Sequence, residues 1–331
     1  MGYIDFISRA LCPSALSVAC CLALFPGLKS AAQAEVAQHQ NVVLSSTRTA
    51  TVNSQGSTTR LSSKKELKSP ALPYRGWVYL AEKLRRVGVS ESEIRSVYEN
   101  SRMPEFSFVS FKLQPREHNA IYNGFRKEST LEIGRKFLEQ HKKAFAEAEH
   151  VFKVNRYIIA AILLIETHAG QATGNELVIN RLSRLASIAE PDNLAKNYEN
   201  LSQDDASVSL HQVQQRAQYL EETFYPEVLA LFELKRKQGV DILALRGSGA
   251  GAFGLPQFLP SSFLKFAVDA NKDGKTSLFH SWDAIWSAAN YLSHFGWQNN
   301  APIAVKRNVL WKYNHSDAYI DAALDVADRL K

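Results

Sequence analysis

A single glutamate follows the most apolar segment of the sequence. Residues 157–165 read Tyr-Ile-Ile-Ala-Ala-Ile-Leu-Leu-Ile, and Glu166 comes directly after them. A helix that is apolar on every face lies inside a domain, and Gly170 is suited to end it. Desolvation there raises the pKa of a carboxyl group, which suits a general acid. The alternative is that Glu166 is the first solvent-exposed residue after a core helix.

A glycine-rich segment adds two polar side chains that could bind a ligand. Four of the eight residues from Gly247 to Gly254 are glycines, and such a backbone can approach a ligand closely. Ser248 offers a hydroxyl, and Gln257 offers a donor and an acceptor for an N-acetyl or carbonyl group. The spacing does not fit a nucleotide-binding loop. The alternative is an ordinary glycine-rich connection between helices.

An acidic segment resembles the first half of an EF-hand calcium loop. Asp269, Asn271 and Asp273 occupy the first, third and fifth positions, and a glycine follows. The usual glutamate is replaced by His280, so Asp283 is the next candidate oxygen ligand. The pattern favours a calcium site, and the alternative is an Asx-turn without a metal.

Five tyrosines of the folded part could contribute to a sugar-binding cleft. Sugars stack on aromatic faces and hydrogen-bond to phenol groups. Taken singly, each tyrosine is better explained by packing. The five are Tyr122, Tyr219, Tyr291, Tyr313 and Tyr319.

Helical spacing dominates the elements that must position these residues. Trp77, Leu80, Leu84 and Val87 form one stripe, which ends at a glycine. Amphipathic spacing continues over residues 130–151, and a further helix is predicted over residues 283–295. A capping box is expected at residues 90–93. No long alternating strand and no internal repeat occurs, so the predicted fold is mainly α.

Composition and charge exclude several classes of protein. The chain has 331 residues, of which 45% are hydrophobic and 22% charged, as in globular proteins. All three cysteines lie within the first 21 residues, so the body has no disulfide framework, cysteine-ligated zinc site or thiol nucleophile. The net charge of +6 suits an anionic polymer or a membrane surface as well as nucleic acid.

The N-terminal part indicates export. Residues 1–34 read as a signal peptide with a small-x-small cleavage pattern that ends at Ala34. Lipidation at Cys20 and a retained membrane anchor are the alternatives. Residues 35–74 are rich in Ser, Thr, Gln and Asn, which predicts a disordered tether. The folded part is expected as residues 75–150, an N-terminal helical part, and residues 151–331, a catalytic core.

In this order, the elements resemble the lytic murein transglycosylase B family of lysozyme-like enzymes. The resemblance runs from about Trp77 to Leu330. It is carried by Glu166 with Thr167 after the apolar helix and by residues 251–262 (Gly-Ala-Phe-Gly-Leu-Pro-Gln-Phe-Leu-Pro-Ser-Ser). It is also carried by the acidic loop at 269–283, by Ala-Asn-Tyr at 289–291 and by Tyr-Asn-His-Ser at 313–316.

The resemblance implies an α+β lysozyme-like fold, with a helical catalytic core and an EF-hand-like metal loop. It implies cleavage of the MurNAc–GlcNAc β-1,4 bond of peptidoglycan, with Glu166 as acid and then base and with 1,6-anhydromuramoyl ends as product. Ser248, Gln257 and the five tyrosines would bind substrate. The metal ligands would be Asp269, Asn271, Asp273, the carbonyl of Lys275 and Asp283.

The resemblance further implies a periplasmic monomer that acts on glycan strands, binds no nucleic acid and can contact the membrane through its N-terminus. No cofactor is expected for the chemistry, and calcium would be structural. Two alternatives stay open, which are a peptidoglycan hydrolase and a catalytically silent peptidoglycan-binding protein. The sequence departs from the family at Ala169, around Gly174 and in a polar insertion at 190–212.

Overall fold

The computed structural model describes residues 72–114 and 119–331. The predicted signal peptide (1–34) and most of the predicted tether (35–74) lie outside the described residues. Short 3₁₀ helices cover Pro73–Gly76 and Asn119–Arg126. The α-helices are α1 (Val78–Arg86), α2 (Glu91–Tyr98), α3 (Glu128–Gln140), α4 (Lys142–Phe152), α5 (Arg156–Thr167), α6 (Val178–Leu185), α7 (Pro191–Asp204), α8 (Leu210–Gln238), α9 (Pro260–Phe266), α10 (Ser281–His294), α11 (Ile303–Tyr313) and α12 (Asp317–Arg329).

Two short strands complete the regular structure of the described residues. β1 (Glu176–Leu177) pairs antiparallel with β2 (Arg246–Gly247), and Glu176 lies opposite Gly247. The prediction of a mainly α fold is therefore confirmed. Among the described residues, no helix is both long enough and apolar enough to span a membrane.

The first helices follow the predicted pattern with one exception. Trp77, Leu80 and Leu84 are buried, but Val87 is 57% exposed, so its assignment to the apolar stripe was wrong. α1 ends at Arg86, and the chain leaves the helical path before Val87 can reach the core. The capping box is confirmed, since the Ser90 side chain accepts from the backbone N–H of Glu93 and the Glu93 carboxylate accepts in return.

Buried apolar side chains form two clusters. The first joins α1, α2, α6 and α8 with most of the buried residues between 242 and 278, and the second joins α3, α4, α5, α10, α11 and α12. Helix α3 and all but the last two residues of α4 precede residue 151, but both helices pack in the same cluster as α5. The boundary expected at residue 150 stays a prediction.

Helix α5 runs through the second cluster. Its N-terminus is capped by Asn155, whose side chain accepts from the backbone N–H of Tyr157. All its residues from Ile158 to Thr167 are buried. A helix that is apolar on every side is packed against other elements all around and is shielded from water. The alternative that Glu166 is the first solvent-exposed residue is therefore wrong.

The polar insertion at 190–212 contains helix α7. The side chains of two of its asparagines hydrogen-bond to the backbone of residues 109–111, a segment that is neither helix nor strand. Asn193 hydrogen-bonds to both the N–H and the carbonyl of Val109, and Asn197 accepts from the N–H of Phe111. These amides give the polar helix a structural role at residues 109–111.

Helix α10 begins at Ser281, two residues before the predicted start.

Candidate active site

Glu166 lies in the last turn of α5 and is only 1% exposed. The hydroxyl of Tyr319 donates a hydrogen bond to its Oε1 atom over 2.8 Å. Burial, and then the charge of Glu166, raise the pKa of Tyr319 well above its usual value. The phenol therefore keeps its proton and remains a donor when Glu166 is a carboxylate.

Thr167 joins the end of α5 to the glycine-rich loop, a role that the sequence did not reveal. Its hydroxyl donates to the carbonyl of Leu255 over 3.0 Å and accepts from the N–H of Gly170 over 3.0 Å. His168, Ala169 and Gly170 all have positive φ, at 50°, 57° and 94°. Such a turn is costly for the two residues that carry a Cβ. It ends α5 directly after Thr167.

Gln257 presents an unused acceptor in the glycine-rich loop. Its Nε2 donates to the carbonyls of Gly254 over 2.8 Å and Thr173 over 3.2 Å, which fixes the orientation of the amide. Its Oε1 is buried and has no hydrogen-bond partner among the described residues. Ser248 is also buried, and its hydroxyl accepts from the N–H of Ala252 over 3.3 Å.

The loop can follow this path only with glycine at Gly247, Gly251 and Gly254, where a Cβ would clash with neighbouring atoms. Gly254 has φ of 75°, and a Cβ there would lie 2.3 Å from the Cβ of Leu278. Any larger residue would push the loop away from the segment that contains Leu278 and would displace Gln257, three residues later. Part of the glycine content is therefore required by packing rather than by a ligand.

Four of the five predicted tyrosines are brought together beside Glu166. Tyr319 stacks on Tyr313 with ring centroids 6.4 Å apart and planes 7° apart, and Tyr122 meets Tyr319 edge-on at 6.0 Å. Tyr291 meets Tyr313 at 4.8 Å. The Tyr313 hydroxyl donates to the carbonyl of Pro256 over 2.6 Å, which ties this tyrosine cluster to the glycine-rich loop.

Tyr219 has a different environment from the tyrosine cluster. It lies on α8, half-buried against the first apolar cluster, and its ring is 5.3 Å from the guanidinium of Arg216. Burial lowers the pKa of Arg216.

Burial and the charge of Glu166 raise the pKa of Tyr313 well above its usual value. Tyr313 therefore belongs to the electrostatic surroundings of Glu166.

Two further buried glutamates are engaged in links between elements. Glu221 pairs with the ammonium group of Lys83, which joins α8 to α1. Glu227 accepts from the N–H of Ser261 over 2.8 Å and from its hydroxyl over 2.6 Å. Among the buried carboxylates of the described part, Glu166 is the one held by a tyrosine hydroxyl of the cluster.

The predicted metal loop is held together by its own hydrogen bonds. The N–H of Asp273 donates to Asp269 Oδ1 over 3.2 Å and to Asn271 Oδ1 over 3.1 Å, so these oxygens converge. The N–H of Lys275 donates to Asp273 Oδ1 over 2.8 Å. Within residues 72–114 and 119–331, no three or more His, Cys, Asp or Glu side chains form a group arranged to hold a metal.

Asp283 closes this loop from the first turn of α10. Its side chain is fully buried, and it accepts from the N–H of Ala270 over 3.0 Å and of Ser277 over 2.8 Å. Both carboxylate oxygens are therefore engaged with the loop backbone. The Asp283 side chain fixes the two ends of the loop to one helix.

The comparisons with known proteins identify the family of the chain, and the solved structures below share its mainly helical fold. The sequence model described as "Transglycosylase SLT domain" matches residues 74–309. The chain therefore belongs to the transglycosylase SLT domain family.

One curated relative is the membrane-bound lytic murein transglycosylase B of Escherichia coli (strain K12), which is 30% identical over 198 residues. The match covers 59% of this chain and 47% of the relative, so the chain spans about half the length of the curated relative it matches. The soluble lytic transglycosylase SltB1 of Pseudomonas aeruginosa has the same fold. Its TM-score is 0.58 at 22% identity, over 78% of this chain and 98% of that chain.

Two further solved structures share the fold and contain ligands. SltB3 of Pseudomonas aeruginosa, in complex with NAG-anhNAM-pentapeptide, has a TM-score of 0.55 at 19% identity, over 77% of this chain and 78% of that chain. The lytic transglycosylase Slt35 of Escherichia coli, in complex with calcium, has a TM-score of 0.53 at 20% identity, over 77% of this chain and 92% of that chain.

Proposed function

We propose that this chain is a peptidoglycan lytic transglycosylase that cleaves the MurNAc–GlcNAc β-1,4 bond and leaves 1,6-anhydromuramoyl ends. The observation that carries the proposal is the buried Glu166 with the Tyr319 hydroxyl 2.8 Å away. The family, the name of the curated relative and the anhydro-sugar ligand of SltB3 support it.

One carboxyl group is sufficient for this reaction. Protonated Glu166 gives its proton to the glycosidic oxygen as the bond from that oxygen to C1 of MurNAc breaks. The Glu166 carboxylate then takes the proton of the C6 hydroxyl of the same sugar, while O6 forms the new bond to C1. Water is not consumed. The Tyr319 hydroxyl donates to the carboxylate between the two steps, which stabilises the negative charge.

The remaining site residues would hold the sugar chain. The unused Oε1 of Gln257 suits the N–H of an N-acetyl group, because both donors of this amide are already engaged. Ser248 would add a hydroxyl contact. Tyr313, the partly exposed member of the tyrosine cluster, would supply aromatic surface to the bound glycan, and Tyr219 with Arg216 would do so on α8. Tyr122, Tyr291 and Tyr319 are buried and would act by holding Tyr313 and Glu166 in place.

Digestion of purified sacculi followed by mass analysis of the released muropeptides tests the reaction. A transglycosylase releases products one water lighter than those of a hydrolase. Glu166→Gln should reduce release by roughly 10²–10⁴-fold, because the amide cannot deliver a proton. Hydrated ends alone would establish a hydrolase, and failure of the wild-type protein to release any glycan would leave a binding protein.

We also propose that the loop at 269–283 binds calcium as a structural ion. The donor set consists of hard oxygens from Asp269, Asn271 and Asp273, with the carbonyl of Lys275 and Asp283. The spacing of these oxygen ligands and the calcium complex of Slt35 support it. Binding would require the Asp283 carboxylate to serve both the loop backbone and the ion.

We propose a periplasmic location, with glycan strands as the partner and a monomer as the acting form. Cleavage after Ala34 would give a mature protein that begins at Glu35. An acyl group on Cys20 would instead hold the enzyme at a membrane. The intact mass of protein recovered from the cell envelope decides between these two forms.

A further inference from the structure

A groove of about 270 Å³ lies at the other end of α5 from Glu166. Its walls come from the N-terminus of α5, from the segment before α11, and from α11 and α12. Asn155 lies eleven residues before Glu166, which is about 16 Å along a helix at 1.5 Å per residue. The groove is therefore separate from the candidate active site.

The groove combines aromatic side chains with amide donors. Asn299 Oδ1 accepts from Trp297 Nε1 over 3.0 Å and from the N–H of Asn155 over 2.9 Å. Asn155 Oδ1 accepts from the N–H of Tyr157 over 2.8 Å. These bonds fix both amides, and their Nδ2 groups have no hydrogen-bond partner within the described part of the chain. Two oriented donors thus remain beside Tyr157 and Trp297.

The groove also contains a cation without an acidic partner. Lys331 pairs with Asp328 over 2.6 Å, so their charges compensate each other. Lys306 forms no ion pair with any described residue, and its Nζ lies 6.0 Å from the centre of the Trp297 ring. A carboxylate on a ligand would supply the missing anion.

We propose that this groove is a second binding site for peptidoglycan, which takes one N-acetylated amino sugar together with the first carboxylate of its stem peptide. The assignment of the polymer rests on the proposed function. Tyr157 is partly exposed and provides aromatic surface for the sugar, with the buried Trp297 forming the floor beneath it. The free amide donors suit acetamido and hydroxyl oxygens, and Lys306 suits the carboxylate. The volume fits a single sugar unit, since sites for larger ligands span roughly 300–1,000 Å³.

Protein-observed NMR on the Glu166→Gln variant tests the site without turnover. The probe is a GlcNAc–MurNAc-peptide fragment purified from sacculi. We expect shifts of the Trp297 indole N–H and of the Asn155 and Asn299 side-chain amides. Adding Lys306→Glu should weaken binding at these signals about tenfold or more, as expected for loss of a charge-assisted hydrogen bond. Movement of cleft signals alone would overturn the proposal.

The matched control is Lys142→Glu, which makes the same charge change at an exposed lysine on α4. It should leave binding at the groove signals unchanged. An equal loss of affinity in both variants would show a general charge effect and would overturn the site. The uncharged disaccharide GlcNAc–GlcNAc, which carries no carboxylate, should bind less tightly to wild type and should not distinguish Lys306→Glu from the control.

Kinetics separate this inference from the proposed function. In the chain with Glu166 intact, Lys306→Glu should slow digestion of insoluble sacculi several-fold, because a second contact raises the effective concentration of enzyme on the polymer. Turnover of short soluble fragments should stay unchanged. If wild type releases no anhydro products but the groove signals move, the proposed function fails alone. If anhydro products appear while the groove signals stay still, this inference fails alone.

Discussion

The hydroxyl of Tyr319 is the contact that ties Glu166 to the tyrosine cluster. Tyr319→Phe keeps the stacked ring and removes only this hydrogen bond. Hydrogen bonds to charged groups contribute about 1.5–3 kcal/mol, so kcat should fall by roughly 10- to 100-fold while KM changes little. Steady-state rates on soluble glycan fragments provide the measurement.

Tyr98→Phe is the matched control, because this phenol is also buried and hydrogen-bonds to the hydroxyl of Ser183 over 2.8 Å. Tyr98 lies in the first apolar cluster, whereas Tyr319 lies in the second. The control should lose some stability but keep its kcat. Equal activity of the two variants would assign Tyr319 a packing role only.

The sequence predicted Glu166 better than it predicted the surroundings of Glu166. The apolar run before it is a local pattern, and burial of the helix follows directly from it. The contact with Tyr319 joins residues 153 positions apart, and no local periodicity encodes such a pairing. Thr167 was missed for the same reason, since its bond to Leu255 also depends on the tertiary fold.

At the scale of elements, α9 depends on a cap supplied by α8. The N-cap residue of α9, Leu259, has no capping side chain, and Glu227 binds the Ser261 N–H instead. Glu227→Ala should lower the free energy of unfolding by roughly 0.5–2 kcal/mol, the usual cost of losing a cap. Glu227→Gln should cost less, because its amide oxygen can still accept. Chemical denaturation measures both.

The charge of Glu227 adds a pH dependence to this cap. Burial raises the pKa of Glu227, and its hydrogen bonds from Ser261 oppose that effect. For an acid with a raised folded-state pKa, the stabilisation is present below the unfolded-state pKa and is lost as pH rises through the folded-state value. Wild type should therefore gain stability relative to Glu227→Gln as pH falls from 7 towards 4. Glu222→Gln, at an exposed position of α8, is the control and should show no such trend.

The loop at 269–283 should respond to calcium as one unit. Saturating calcium should raise the melting temperature of wild type, because an ion that binds only the folded state stabilises it by mass action. Asp273→Ala should abolish the rise, whereas Asp204→Ala, an exposed change at the end of α7, should retain it. A wild-type melting curve that does not move in calcium would contradict the proposed site.

The whole molecule shows where prediction from a single sequence stops. Helical spacing gave the fold class, because amphipathic periods are local. The two apolar clusters were not predicted. Residues 77–109 pack with residues 177–278, whereas the helices α3 to α5, which lie between them in the sequence, belong to the second cluster. Local patterns do not encode such long-range packing. Strands of two residues are also too short to show an alternating pattern.

We expect three half-buried histidines to make the stability of the whole fold depend on pH in mild acid. Burial lowers the pKa of His141, His168 and His315. The charge of His280 lowers the pKa of His141 further, and the charge of Lys312 lowers that of His315 further. A base with a depressed folded-state pKa gives stability that is present above the unfolded-state pKa, about 6.5, and is lost as pH falls below it. The melting temperature should therefore fall between pH 7.5 and 5.

Replacing the three histidines together tests this origin of the acid sensitivity. The triple variant His141→Gln, His168→Phe and His315→Asn should show a flatter melting temperature over this range, whatever its absolute stability. His211→Gln, on an exposed face of α8, should retain the slope of wild type. Carboxylates with lowered pKa values, such as Asp241 beside Arg102, lose their contribution only at lower pH. A triple variant as steep as wild type between pH 7.5 and 5 would therefore assign the loss to groups other than these histidines.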